Sequence, residues 1–381
     1  MSSSTHLISA IPNTASFLAE ARTGFTADLA SPPSTLKERQ ELLTSIQSFA
    51  FQFLKAAAHA SHSHQAFAQT DHGPSGERDE SNHHAVEANA HPDTETDDLA
   101  QQGLAVLWGM FTSTAQVIDA DDAFQDRLVG LLAWTREFDG LYRRLHGVVV
   151  GGADAGGVGG GWESHGFAQS LQLAWEQLFT DLPRNTSIAQ RSRNLAAFSA
   201  RVLAMGLCGE CVAGTAFWVF ERALGGNEER DEIVLRELVP AVVVWLKHAS
   251  HALLARCCSS PAAGGLDTIT DTATDPISRA DAPSTDQTTA ETQYGEFSMS
   301  QWLRWRRRLQ KLSHDADADV ARLAKKGFMS MIFCGRDLGV DVEGEARFAE
   351  RLQEVMYREL VRSGKEVVEG DEVEIEVDWV D

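Results

Sequence analysis

The sequence predicts an all-α protein, an irregular multi-helix bundle with long disordered insertions. Apolar residues recur at the three- and four-residue spacing of a helix along most of the chain, and strands do not alternate with helices. The segment Val373–Trp379 alternates apolar and acidic residues as a strand would, but it is short and lies near the end of the sequence. Helices must therefore supply the core.

Composition narrows the class of protein. The chain has 381 residues, and 55 Asp and Glu against 33 Lys and Arg give a formal charge of −22. Such a polyanion repels phosphate backbones, so we expect no nucleic-acid partner. No apolar run reaches the ~20 residues of a membrane span, the first residues lack a secretory pattern, and five cysteines do not form a disulfide framework. We expect an intracellular protein, cytoplasmic or nuclear, without a membrane partner.

Stretches poor in apolar residues divide the chain. Residues 61–98, rich in His, Asp, Glu and Ser, are predicted to be a disordered insertion, because they cannot bury enough apolar area to offset the entropy of ordering. The main helical domain is predicted over residues 99–363, with mobile loops at about 147–163 and 259–297. Residues 364–381 form an acidic tail.

Residues 1–60 are predicted to hold N-terminal helices. Thr35 and Glu38 have the spacing of a capping box. After them, apolar residues recur at helical spacing: Leu36, Leu42, Leu43, Ile46, Phe49, Phe53 and Leu54.

Apolar stretches with helical spacing predict the helices of the main domain. These stretches are Leu99–Ile118, a segment opened by Asp121 and Asp122, a segment capped by Ser164, Ile188–Leu224 and Glu229–Cys258. The buried stripe of the second stretch is predicted to be Phe124, Leu128, Leu131, Leu132, Thr135 and Phe138. Leu99–Ile118 is mostly apolar, which indicates a central, well-covered helix. Pro240 either kinks the last helix or marks a join between two.

Three amphipathic helices are predicted in the C-terminal third. The first begins at a second capping box, Ser298 with Gln301, and carries Trp302 and Trp305 on one side. Its basic residues fall on the opposite side: Arg304, Arg307, Arg308 and Lys311. The other two helices are Asp315–Phe333 and Glu345–Val361.

The segment Ser300–Leu309, followed by Ala321–Met331, resembles the C-terminal signature of a fungal family known only as a domain of unknown function. That family pairs a Trp-x-x-Trp-(Lys/Arg)-x-Arg-Leu-like helix with one rich in Ala and Met. Other segments resemble its upstream helices: Leu107-Trp108, Gln125–Val129, Asn194–Arg201, Val239–Ala241 and Trp245-Leu246. The resemblance covers residues 100–362, apart from the insertions, and implies an all-helical intracellular protein. It implies no catalytic residues.

Cys208 and Cys211 have the two-residue gap of a zinc knuckle or a redox pair, and Cys257-Cys258 could complete four ligands. Adjacent cysteines rarely chelate one tetrahedral ion, however. Cys208 and Cys211 are one helical turn apart, so the simpler interpretation is two small buried side chains facing a neighbouring helix.

Histidines offer a second candidate for metal binding. His248 and His251 lie one turn apart near a predicted helix C-terminus, where they suit the helix dipole. The Glu-x-x-His spacing of di-iron sites occurs at Glu80–His83, inside the polar insertion, which disfavours such a site. The insertion and the residues just before it contain further histidines. These imidazoles could bind soft metal ions weakly, but the simpler interpretation is a solvated segment without a metal site. They are His59, His62, His64, His72, His83, His84 and His91.

Motifs for catalysis are missing from the sequence. Gly151–Gly161 fits neither a dinucleotide fingerprint nor a P-loop, and no Gly-x-Ser-x-Gly elbow occurs. The sequence therefore predicts no catalytic, cofactor-binding or metal-binding residues. The basic side of the Ser298 helix could dock a nucleic acid or an acidic partner, although contacts with the chain's own acidic helices are the simpler interpretation.

These exclusions favour a non-catalytic helical scaffold or protein-interaction protein with a protein partner. The alternative is a helical enzyme or small-molecule carrier with an aromatic-lined pocket, marked by Trp108, Trp134, Trp175, Trp218 and Trp245. Convergent polar groups in a pocket would favour the alternative, whereas an exposed apolar patch would favour an interaction protein.

We expect the purified protein to carry no stoichiometric zinc or iron, because no ligand set has the required spacing. Elemental analysis of protein prepared without chelators measures this. One equivalent of zinc that disappears on Cys208→Ser would contradict the expectation.

Overall fold

A computed structural model of the chain describes residues 14–28, 33–68, 93–145, 166–181, 188–225, 232–259 and 297–364. These residues form eleven α-helices joined by turns, and they include no strand. The prediction of an all-α fold is therefore confirmed. The alternating segment Val373–Trp379 and the glycine-rich stretch Gly151–Gly161 lie outside the described residues.

The helices fall into two compact units, divided between Val212 and Ala213. The first holds α1 (Thr14–Asp28), α2 (Leu36–Ala68), α3 (Asp93–Val117), α4 (Phe124–Leu145), α5 (Phe167–Asp181) and α6 (Ile188–Ala204). The division falls inside α7 (Gly209–Leu224), and the second unit continues with α8 (Glu232–Ser259), α9 (Met299–Leu312), α10 (Ala318–Leu338) and α11 (Glu345–Ser363). The sequence predicts a single main domain over 99–363, whereas contacts within the chain cluster into these two units.

α3 is the central helix of the first unit, as its apolar composition predicts. It packs against α1, α2, α4, α5 and α6. Trp108 meets Phe167 of α5 edge to face, with ring centroids 5.3 Å apart, and Phe167 meets Phe198 of α6 in the same way at 6.4 Å. All three rings are buried. Such pairs add to the stabilisation that burial of the rings already provides.

α2 begins with the predicted capping box. The backbone N–H of Glu38 donates to Thr35 Oγ1 at 3.2 Å, and Glu38 Oε2 accepts from the backbone N–H of Thr35 at 3.0 Å and of Ser34 at 2.7 Å. These bonds satisfy N–H groups that the first helical turn leaves open. The backbone hydrogen bonds from Thr35 and Ser34 also lower the pKa of Glu38, because they stabilise its ionised form.

α2 and α3 approach each other closely at Gly103. A Cβ atom at this position would overlap the ring of Phe53, which itself stacks on Phe49 with centroids 5.9 Å apart. Both phenylalanines are buried. Helix α2, one of the predicted N-terminal helices, therefore packs on α3 in the first unit.

Both ends of the predicted insertion at 61–98 are helical, which corrects its boundaries. α2 continues to Ala68, and α3 begins at Asp93. Alanines favour helix at the first end, and the acidic residues that follow Pro92 suit a helix N-terminus at the second. Residues 69–92 lie outside the described part, as do 146–165 and 260–296, so disorder and mobility there stay predictions.

In the second unit, α10 packs against α8, α9 and α11. The side chain of Asp317 caps its N-terminus by accepting from the backbone N–H of Asp319 at 2.9 Å. Gly339, at φ 66°, ends it in the left-handed conformation that favours glycine. Phe328 of α10 meets Phe348 of α11 edge to face at 5.2 Å, and both rings are fully buried. α10 therefore forms the middle of this unit.

Only half of the second predicted capping box forms. The Gln301 backbone N–H donates to Ser298 Oγ at 3.3 Å, but the Gln301 side chain donates to Glu221 Oε1 in α7 at 2.6 Å instead of returning to the cap. Trp302 and Trp305 are fully buried, as the pattern predicts.

Helix α8 contains a stretch, Leu235–Ser259, that is long and apolar enough to cross a membrane. By its length and composition, α8 therefore contradicts the prediction that no stretch approaches a membrane span. In the structure 67% of the tested window is buried inside the protein, and Trp245 is fully buried, which is the pattern of a core helix. Pro240 lies within α8, so it marks no join between two helices.

We expect Trp305→Ala to lower the free energy of unfolding by about 3–5 kcal/mol, because a fully buried aromatic side chain is removed. The matched control, Arg304→Gln with Arg308→Gln, should lower it by less than about 1 kcal/mol, since the ion pair of Arg304 with Glu221 is partly exposed and such pairs contribute little. Urea unfolding followed by circular dichroism measures both. A Trp305→Ala protein of unchanged stability that fails to bind a partner would show that α9 is a contact surface rather than core.

Candidate functional site

The predicted cysteine pair lies where α6 turns into α7. Cys208 is buried and has a φ of 52°, while the side chain of Cys211 lies outside the described part. At the end of α8, burial raises the pKa of the Cys257 thiol to about 12, and it also raises the pKa of the exposed Cys258. A protonated thiol is a poor metal ligand and a poor nucleophile. The raised pKa of Cys257 therefore disfavours this buried thiol as a metal ligand or nucleophile.

The predicted histidines of α8 differ in their surroundings. His251 Nε2 lies 3.5 Å from Asp337 Oδ2 of α10, and His248 is half-buried. Within the described ranges, no group of three or more His, Cys, Asp and Glu side chains could hold a metal ion. The side chains of His59, His62 and His64 in α2 lie outside the described part, as do the other histidines of the insertion. Metal content stays a prediction.

A buried polar cluster surrounds the turn between α3 and α4. Asn194 Oδ1 accepts from the backbone N–H of Ala120 at 2.9 Å, and Asn194 Nδ2 donates to the carbonyl of Gln116 at 2.9 Å. Gln125 Nε2 donates to the carbonyl of Ile118 at 2.7 Å. Both amide side chains are almost completely buried. They satisfy backbone groups that the end of α3 and the turn leave open.

Carboxylates of this turn and of the start of α4 accept from side chains of α2 and α6. Three are paired with arginines and one with a glutamine: Asp122 with Arg39, Asp121 with Arg193, Asp126 with Arg201 at 2.7 Å, and Asp119 with Gln190 at 2.9 Å. The sequence analysis identifies Asp121 and Asp122 only as helix openers, because the arginines that meet them lie far along the chain. Because these carboxylates are held by fixed donors, they are better suited to holding the helices together than to acid–base catalysis or cation binding.

A single carboxylate oxygen in the second unit joins α7 to α9. Glu221 Oε1 accepts from Trp305 Nε1 at 2.7 Å, Gln301 Nε2 at 2.6 Å and Arg304 Nη2 at 2.5 Å. Phe217 of α7 meets the Trp305 ring edge to face at 5.6 Å. Charge-assisted hydrogen bonds of this kind are stronger than neutral ones. Sequence reasoning missed Glu221, because no local pattern links it to a helix 80 residues away.

A buried ion pair joins α9 to α11. Arg306 Nη1 and Glu345 Oε1 lie 3.9 Å apart, with side chains 4% and 9% exposed, and Arg306 Nη2 donates to the carbonyl of Glu343 at 2.7 Å. Gly335 of α10 makes room for this pair, since a Cβ there would overlap the Glu345 carboxylate. Burial raises the pKa of Glu345 to about 7, although Arg306 opposes the shift. A carboxyl with such a pKa suits acid–base work, but a substrate has little access to one so deeply buried.

A groove of about 250 Å³ opens to solvent between α2 and α4. It is lined by Gln47, Ser48, Phe51, Gln52 and Trp134. Phe138, predicted as part of the buried stripe of α4, is only half-buried; it stacks on Trp134 and contacts Phe51, with centroids 5.2 Å apart in each pair. Phe51 is 45% exposed and Leu141 is 50% exposed. The groove is thus an aromatic surface in contact with water.

The other tryptophans proposed for a pocket are placed differently. Trp108 and Trp175 are buried in the core of the first unit, and Trp245 is buried in the second. Trp218 is half-buried in the second unit. Of the five, Trp134 lines the groove.

Glu345→Gln is expected to remove a pH dependence of stability. Folding raises the pKa of Glu345 from 4.5 to about 7, so folding favours its protonated form. That contribution is complete below pH 4.5 and is lost as the pH rises to about 7. The difference in unfolding free energy between wild type and variant should therefore change by about 3 kcal/mol between pH 4.5 and pH 7.5. Urea titrations at both pH values measure it.

The matched control for this change is Glu350→Gln on the exposed side of α11. Its stability should follow the pH dependence of the wild type. Parallel curves for Glu345→Gln and the wild type would contradict the assignment.

Comparison with known proteins identifies the family. Residues 108–309, more than half of the chain, match the model described as a protein of unknown function, DUF3632. No match was found among curated proteins or among solved structures. The matched region begins within α3 and ends within α9, so it includes the polar cluster, Glu221 and the α4 side of the groove. The chain therefore belongs to the DUF3632 family.

Proposed function

We propose that the protein is a non-catalytic helical interaction protein that binds a protein partner through the groove between α2 and α4. The observation that carries the proposal is the solvent exposure of two large apolar side chains: Phe51, which lines the groove, and Leu141, which follows Trp134 by seven residues on the same side of α4. Contact between such side chains and water is unfavourable. A cluster of them on one surface is typical of an interaction site.

The shape of the surface supports recognition of a helix. Trp134, Phe138 and Leu141 follow one another at four and three residues along the same side of α4, over a length of about 10 Å. Phe51 of α2 contacts Phe138 from the other side. A partner helix that presents apolar residues at positions i, i+4 and i+7 matches this spacing.

The chemistry of the lining favours a partner with an uncharged contact face. The polar groups of the groove belong to Gln47, Ser48 and Gln52, which are neutral, and the lining residues include no charged side chain. A partner's charged side chain buried here would lose its hydration without gaining an opposite charge. We therefore expect an amphipathic helix whose contacting face is apolar, with small polar residues at its edges.

The alternative, a helical enzyme or small-molecule carrier, is less well supported by this groove. Its volume of about 250 Å³ lies below the range of roughly 300–1,000 Å³ typical of ligand pockets. It is also open to solvent, whereas a carrier site encloses most of its ligand.

We further propose that the chain is a fungal, intracellular member of its family, cytoplasmic or nuclear, and that the helix with Trp302 and Trp305 is part of the family signature. The matched region extends to residue 309 and so includes both tryptophans. Cys257, Cys258 and Cys334 are free thiols, which suits a reducing compartment.

We expect Phe51→Ser with Leu141→Ser to weaken partner binding by about tenfold or more, because aromatic and aliphatic anchors at the centre of an interface carry much of its binding energy. The matched control is Leu173→Ser on α5, a side chain of similar exposure outside the groove. The partner is first identified by quantitative affinity purification from the native cell, with the wild type, the groove variant and the control variant each used as bait. Its affinity is then measured by titration with the purified components.

Thermal melting checks that the variants are folded. Because half-exposed side chains contribute little to the core, the three proteins should melt within a few degrees of one another. Equal affinity for wild type and groove variant would overturn the proposal. A small molecule seen by native mass spectrometry on the wild type, and lost from the groove variant alone, would establish the carrier function instead.

A further inference from the structure

We propose that residues 1–13 bind the groove between α2 and α4 within the same chain and compete there with the protein partner. The competition rests on the proposed function of the groove, whereas the contact itself can be tested without a partner. Three observations carry the proposal: the exposed, uncharged lining of the groove, the composition of residues 1–13, and the packing of α1, which these residues precede, against α2.

The α2 side of the groove presents neutral side chains to water. Gln47, Ser48, Phe51 and Gln52 are all exposed, and their spacing places them on one side of α2. Trp134 lines the groove from α4 and is half-buried. An occupant without charged side chains loses the least hydration here, because the lining includes no charged residue that could replace it.

Residues 1–13 have the composition that this lining favours. They contain no Asp, Glu, Lys or Arg, and their apolar residues Leu7, Ile8 and Ile11 lie among serines and a threonine. They lie outside the described residues, so the segment is considered by its sequence alone. Charged residues occur in each of the four other stretches of ten or more residues outside the described part, which are 69–92, 146–165, 260–296 and 365–381. Of these stretches, residues 1–13 therefore match the groove best.

The helix that follows this segment lies next to α2. α1 begins at Thr14 and packs against α2, which in turn packs against α4. The axes of packed helices are about 8–10 Å apart, whereas an extended chain from Leu7 to Thr14 spans up to about 24 Å. Pro12 favours an extended backbone at Ile11. The segment can therefore pass from α1 across α2 and place Leu7 and Ile8 at the groove.

Tethering makes this segment an effective competitor. A segment linked by a few residues acts at an effective concentration near the millimolar range, so a contact too weak to form between separate molecules can form within one chain. The partner then binds only the chains whose groove is open. Its apparent dissociation constant equals the intrinsic one divided by the fraction of open grooves, so residues 1–13 would set how readily the partner binds.

Photo-cross-linking of the full chain tests the contact without a partner. The probe variant carries Gln52→p-benzoylphenylalanine, which places the photoreactive group at an exposed position of the groove. Peptide mass spectrometry of the monomeric protein should find links from this position to residues 1–13. The matched control is Leu173→p-benzoylphenylalanine on α5, an exposed position outside the groove, and it should lack these links.

A matched pair of variants tests the role of the apolar residues. The segment variant carries Leu7→Ser and Ile8→Ser, and the control variant carries Leu266→Ser and Ile269→Ser, the same residue types in another stretch outside the described part. The links from position 52 should be lost in the segment variant and kept in the control variant. The segment variant should also bind the partner at least about threefold more tightly than wild type, as expected when the groove is covered in two thirds of the chains. The control variant should bind it as wild type does.

Three results would overturn the proposal: no links from the groove to residues 1–13, links found only between two chains, or equal partner affinity of the segment and control variants. Failure of the proposed function is a separate outcome. If the links form as expected but Phe51→Ser with Leu141→Ser leaves partner binding unchanged, the partner site is refuted and the contact of residues 1–13 is confirmed. Because the four serine substitutions of the segment and control variants lie outside the described helices, their melting curves should match that of the wild type, which excludes unfolding as the cause.

Discussion

The first unit depends on the side chain of Asn194. Its amide accepts from the turn after α3 and donates to a carbonyl at the end of that helix, while its own helix, α6, supplies part of the aromatic core. Loss of one partner would leave buried polar groups unsatisfied, which costs more than the net value of a hydrogen bond. The turn so fixed sets the direction in which α4 leaves α3. The direction of α4 in turn determines where Trp134 and Phe138 meet α2.

An equivalent constraint operates in the second unit, where the Glu221 carboxylate fixes the rotation of α9 about its axis. Gln301, Arg304 and Trp305 of α9 all donate to the same carboxylate oxygen. With Trp305 directed inward, Arg307 on the other side of α9 lies toward solvent. The exposure of Arg307 is therefore a consequence of how Trp305 is held.

Patterns among neighbouring residues are enough to predict the helices from the sequence. The features that the sequence does not predict depend on contacts between residues far apart in the chain. The capping box at Thr35 and the inward side of α9 follow from neighbouring residues, and the structure confirms both. Phe138 was assigned to a buried stripe because periodicity identifies a side of a helix but not what covers it. Gln301 matched a capping box but had a stronger acceptor in Glu221, which no local pattern reveals. The groove depends on the register of α2 against α4, and helical periodicity carries no information about register.

The close approach at Gly103 bears on how much of this chain can fold by itself. Gly103 and the whole of α2 precede the region by which the family is recognised, and that region stops within α9, before α10 begins. A fragment cut to residues 108–309 would keep only the second half of α3, uncovered where Phe53 and its neighbours belong. It would also keep Trp302 without the helix that packs against α9. The segment that identifies the family thus leaves out helices that cover apolar side chains in both units.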